Sequence, residues 1–107
     1  MNTFFDHLGR RFAQAAARRG VTMDAPVLGP AEAEELLDLA RVAAHTQERR
    51  FAPLATYLAG MTAERIRAAG GDGAPGGVSA LIREVREELE REAGTESGRT
   101  PARDFPD

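Results

Sequence analysis

Two amphipathic helical patterns meet across a short break in residues 36–61, LLDLARVAAHTQERRFAPLATYLAGM, and no other stretch limits the fold so strongly. Before the break, Ala33, Leu36, Ala40, Ala43 and Ala44 recur at helical spacing, flanked by Leu37 and Leu39. After it, Leu54, Leu58, Met61 and Arg65 fall in line, flanked by Tyr57 and Ile66. Pro53 disfavours helical geometry at Ala52, which puts the break near 48–52 and restarts the helix at Pro53. The pattern predicts one helix from about residue 30 to 46 or 47 and another over 53–69. Pro30 suits a first helical position, and Glu32, Glu34 and Glu35 complement the dipole of the first turns.

The remaining segments extend the helical theme. Thr3 and Asp6 form a helix-start signal, followed by Phe4, Phe5, Leu8, Phe12 and Ala15 or Ala16 at helical spacing, with Gly20 as the stop. Residues 21–29, with Pro26 and Gly29, read as a loop. The GGDGAPGG run at 70–77 reads as a flexible linker. No strand precedes it and no Lys-Ser/Thr pair follows, so it is not a phosphate loop. Ser79 is the expected cap of a fourth helix to about Ala93, whose Val78, Ile82, Val85 and Leu89 make a short coiled-coil-like seam. Arg83–Glu87, Arg86–Glu90 and Glu87–Arg91 are its expected surface pairs. The predicted fold is all-α, an up-and-down bundle of three core helices over 1–70, a linker at 71–77, a fourth helix at 78–93 and a disordered tail at 94–107.

Composition narrows the function classes. The chain has no Cys, so disulfides and thiolate metal sites are excluded. Two His residues, His7 and His45, make a poor zinc inventory, and no metal or cofactor is expected. A net charge of −3 provides no global field for nucleic acid. No apolar run reaches the roughly 18 residues that span a bilayer, and no signal peptide is visible, so the expected address is the cytoplasm, with no membrane contact. Charge is unevenly distributed, however. Residues 1–20 carry Arg10, Arg11, Arg18 and Arg19 against Asp6, whereas the fourth helix is acidic.

On a wheel of about 100° per residue, Glu34, Asp38, Arg41, His45 and Glu48 share the face of the second helix opposite its Ala/Leu stripe. That face is either a binding surface or an ordinary solvated one with an Asp38–Arg41 pair. His45 is placed to cap the helix end, and Thr46 is the wrong neighbour for a nucleophile–base pair. Glu48, Arg49 and Arg50 occupy the turn, where guanidinium groups suit a phosphate or carboxylate and the start of the next helix offers amides to an anion. Thr56, Gly60 and Ala63 form a small-residue face. A helical Gly costs about 1 kcal/mol against Ala, so close packing is expected at Gly60.

The run at 36–61 resembles a family of small bacterial helical domains of unknown function. The resemblance rests on Leu37 to Arg41, Ala44 and His45, Glu48 and Arg49, Ala52 to Leu54, and Tyr57, Leu58 and Gly60. Such domains occur alone or fused behind proteins similar to molybdenum cofactor guanylyltransferase. Where the family usually has Pro after Glu-Arg, this chain has Arg50, and where it often has Trp in the first helix, this chain has Phe4 or Phe5. The expected function is a non-catalytic accessory module that binds a protein partner, and the resemblance implies, indirectly, a molybdenum cofactor nucleotidyltransferase of molybdopterin-guanine dinucleotide biosynthesis as that partner. The expected binding residues are Arg41, His45, Glu48, Arg49 and Tyr57. The alternatives are a small anionic-ligand (phosphate or nucleotide) binder and a structural homodimer through Val78, Ile82, Val85 and Leu89.

Overall fold

The helical periodicities become four helices in the computed structural model, which describes residues 3–96. These are α1 (Thr3–Ala17), α2 (Pro30–Thr46), α3 (Phe51–Ala68) and α4 (Gly77–Glu96). No strand occurs among the described residues, and the protein is an all-α helical bundle. Of the expected disordered tail, residues up to Glu96 are helical and 97–107 lie outside the described residues.

The chain divides into two units, Met1–Ala33 and Glu34–Asp107. In the first, the contact that organises α1 is made by a glycine. Gly9 is buried, and a Cβ there would overlap the carbonyl oxygen of Pro26. The loop can therefore approach α1 only where the helix has no side chain. Leu8, Ala15 and Ala16 of the expected stripe are half-buried, but its aromatic residues stay exposed. Phe4, Phe5 and Phe12 are exposed, and Phe4 and Phe5 pack edge to face with centroids 5.1 Å apart. Gly20, at φ +85°, ends the last turn in the left-handed conformation.

The second unit holds the core of the bundle. Leu39 from α2, Ala63 from α3, and Val78 and Ile82 from α4 are buried together, with Leu36, Ala55, Ala59 and Leu89 packed against them. Burying a side chain the size of Ile82 is worth about 1.5–3 kcal/mol. Hence α4 is a core helix. Most of its seam is used within the chain, leaving Val85 as its one exposed large apolar residue.

The line of large apolar residues that helical spacing picks out on α3 is not the face it buries. Leu54, Tyr57 and Leu58 are 61%, 69% and 62% exposed, whereas Ala63 is 2% exposed and Ala55 and Ala59 are half-buried. Two apolar lines run along this helix, rotated by about one residue, or 100°. The alanine line faces inward because small side chains let neighbouring helices approach towards the short end of the roughly 8–10 Å range. Gly60 lies between the two lines. It is exposed and an added Cβ would meet nothing within 4 Å, so the expected close packing at Gly60 is corrected: Ala63 makes that approach. On α2, Leu39, Val42 and Ala43 are buried while Leu37 is 70% exposed.

Two helix starts also fall earlier than expected. α3 begins at Phe51, not Pro53. Pro53 stands in the first turn, where no intrahelical acceptor awaits its missing N–H, so it costs no hydrogen bond. α4 begins at Gly77, which leaves Ser79 inside the helix and not at its cap.

Polar contacts register α2 against α4. Arg83 Nε donates to Glu35 Oε2 at 3.0 Å, and Arg86 lies 3.7 Å from Glu35 Oε1 while binding Glu90 at 3.0 Å. The Glu35 side chain is only 13% exposed, so this contact is better shielded than an ordinary surface pair. The expected Arg86–Glu90 pair forms, whereas Arg83 turns to α2. The glycine-rich segment between α3 and α4 is a shaped turn. Asp72 Oδ1 accepts from the Ala74 amide at 2.9 Å, and Gly73, at φ +85°, sits where a Cβ would come within 2.8 Å of the Gly77 and Val78 backbone.

Candidate functional site

The five expected binding residues are all exposed, Arg41 and His45 on α2, Glu48 and Arg49 in the turn that follows, and Tyr57 on α3. The four-residue spacing of Leu37, Arg41 and His45 puts them on one face of α2. Arg41 is 3.7 Å from Asp38, so the pair expected of a solvated face is present. Both side chains remain about half exposed, and such pairs contribute about 0–1 kcal/mol. His45 lies in the last turn, where its charge position suits the helix dipole. The side chain that bonds back into this turn is Thr46, whose Oγ1 donates to the Val42 carbonyl at 2.8 Å.

The turn between α2 and α3 is organised by its own charges. Arg50 Nε donates to Glu48 Oε1 at 2.8 Å. This hydrogen bond, with the adjacent negative charge, raises the Arg50 pKa above its ordinary value. Arg49 is exposed beside it. The expected offer of free amides at the start of α3 is corrected. Phe51 N donates to Glu48 O at 2.9 Å and Ala52 N to Arg49 O at 3.2 Å, while Pro53 has no N–H. A tight turn leads directly into the helix and occupies the donors an anion would need.

Tyr57 belongs to the larger feature of this surface. With Leu54 and Leu58 it forms an exposed apolar stripe at i, i+3 and i+4, continued by the half-buried Met61. Arg50 precedes the stripe and Arg65 follows it, both exposed. The sequence pattern singled out Tyr57 for binding and put Leu54 and Leu58 in one apolar line, without showing that this line faces outward. The available signal was the second apolar line, Ala55, Ala59 and Ala63, on the same helix. Threonines on α3 bond internally: Thr56 Oγ1 donates to Pro53 O at 3.0 Å and Thr62 Oγ1 to Leu58 O at 2.9 Å. Among the described residues, no group of three or more His, Cys, Asp or Glu side chains is placed to hold a metal ion, and no helix is long and apolar enough to cross a membrane.

Residues 5–97 match the model of a domain of unknown function, DUF6457. The match covers most of the chain, from α1 through α4, and the protein belongs to this uncharacterised family. The family relationship thus reaches well beyond the hairpin at 36–61 and includes the helix that closes the core. No curated protein and no solved structure matches the chain.

Proposed function

We propose that this protein is a non-catalytic interaction module whose working surface is the outer side of the α2–α3 hairpin. The observation that carries this reading is the exposure of Leu54, Tyr57 and Leu58, each above 60%, on a helix whose opposite face supplies the core. Three large apolar side chains in one line, edged by Arg and Glu, have the composition of a protein contact: apolar and aromatic at the centre, charged at the rim. Arg41, His45, Glu48 and Arg49 supply polar groups along α2 and the turn. The small-anion alternative draws less support, because the first amides of α3 are engaged by the preceding turn. A homodimer through the α4 seam would require that helix to exchange between copies, since Val78 and Ile82 are buried in their own core.

The finer identity of the partner rests on the resemblance of 36–61 to domains fused with molybdenum cofactor guanylyltransferase-like proteins. It makes such a nucleotidyltransferase, in molybdopterin-guanine dinucleotide biosynthesis, the first partner to test. The test is site-specific cross-linking in the cells that make the protein. A photoreactive phenylalanine analogue at Tyr57 should form an adduct with a defined protein, and Leu58→Asp should abolish it. The reading is lost if the full-length chain forms no protein adduct from that position while one placed at an exposed site on α4, such as Glu88, behaves identically.

A further inference from the structure

The outer line of α3 is bracketed by like charges. Arg50, Leu54, Tyr57, Leu58, Met61 and Arg65 follow at spacings that keep them on one side of the helix. Arg50 is positioned just before the first turn with helical backbone angles, so it continues the line. The two Arg residues are 15 positions apart, about 22 Å along the axis at 1.5 Å per residue. Glu64 binds Arg67 at 2.6 Å, and Glu48 holds Arg50 only through Nε, in an exposed pair of the kind that contributes little and gives way to a better-shielded carboxylate. Arg65 has no carboxylate partner among the described residues.

Building on the interaction-module reading, we infer that the stripe receives an amphipathic helix of a different protein, apolar at its centre and acidic at both ends. The apolar centre covers Leu54, Tyr57 and Leu58, and the terminal carboxylates pair with Arg50 and Arg65. A second copy of this chain does not provide such a helix. Its α1 carries Arg10, Arg11, Arg18 and Arg19 against Asp6 and would repel the stripe. Its α4 is acidic, but Val78 and Ile82 are inside its own core and only Val85 among its large apolar residues is exposed. Its α2 presents a single large apolar residue, Leu37. An anionic membrane is the other acidic apolar surface available. It suits the stripe less well, because Arg50 and Arg65 lie in line with the apolar residues and limit insertion to three or four side chains.

The test measures fluorescence anisotropy of the full chain with two labelled 20-residue helical peptides. Both carry leucines at i, i+3, i+4 and i+7. One has Glu at both ends, about 15 residues apart, and the other has Lys at those positions. The Glu peptide should bind at least about tenfold more tightly. The Arg50→Glu, Arg65→Glu double variant should reverse that preference, and Leu58→Ser should weaken both peptides. The inference is overturned if the Lys peptide binds as well as the Glu peptide, if neither binds, if the double variant keeps the original preference, or if phosphatidylserine vesicles bind and compete the Glu peptide away. A protein adduct at Tyr57 together with any of these results leaves the module reading standing and removes only the acidic helix. Failure of the adduct removes both.

Discussion

The two faces of α3 are made of similar chemistry and have opposite fates. Ala55, Ala59 and Ala63 point into the core with Leu39, Val78 and Ile82, whereas the larger and more hydrophobic Leu54, Tyr57 and Leu58 point outward. Hydrophobicity alone would have placed them the other way round, since a buried leucine gains more than a buried alanine. What decides the orientation is fit. α2 and α4 already contribute branched side chains, and the third helix completes the core by being narrow, as close-packed interiors require. The larger side chains left outside are then available for a partner. Stability and recognition are thereby assigned to different faces of one helix.

The difference predicts a wide gap between two truncations. Ile82→Ala should destabilise the full chain by about 2–5 kcal/mol in urea unfolding, through lost transfer energy and a residual cavity. Leu58→Ala should change stability by no more than about 0.5 kcal/mol. Equal effects would mean that the outer line of α3 is also structural. The next effect is electrostatic. Glu35→Gln keeps the shape of the side chain but removes the charge that faces Arg83 and Arg86, and should cost about 1–2 kcal/mol by thermal or urea melting. An unchanged stability would show that apolar packing alone sets the register of α2 and α4. The smallest effect has the opposite sign. Gly60→Ala should stabilise by up to about 1 kcal/mol, because nothing would meet the added Cβ and alanine is the better helix former. Destabilisation there would place a close neighbour over Gly60.

Much of this architecture was legible in residue order. The span of α2, Pro30–Thr46, was read to within a residue from its periodicity and its first-turn Pro and Glu. The four-helix count followed from four separated periodic segments. The pairs Asp38–Arg41 and Arg86–Glu90 followed from helical spacing. The exposure of Arg41, His45 and Glu48 was legible for the same reason, since polar residues opposite an apolar stripe face water. Less legible were the contacts that depend on distant segments. The Glu35–Arg83 hydrogen bond spans 48 positions, and local spacing favoured Glu87 as the partner of Arg83. The glycine under close approach is Gly9 and not Gly60, because the Pro26 carbonyl comes from a loop whose path has no periodic signature.

By itself, then, the amino-acid sequence determined that the chain is helical, where its helices lie to within a few residues, and which side chains of α2 are polar and outward. Periodicity, proline and glycine act within a few residues of chain, so their consequences can be read locally. Tertiary structure alone decided which of two apolar lines on α3 is buried and that the α4 seam closes this chain's own core. It also decided that Glu35 holds α4 and that the first amides of α3 are occupied by the preceding turn. Each of these is a competition between alternatives nearly equal in local energy, settled by the volume and charge of helices that the chain brings together from far apart.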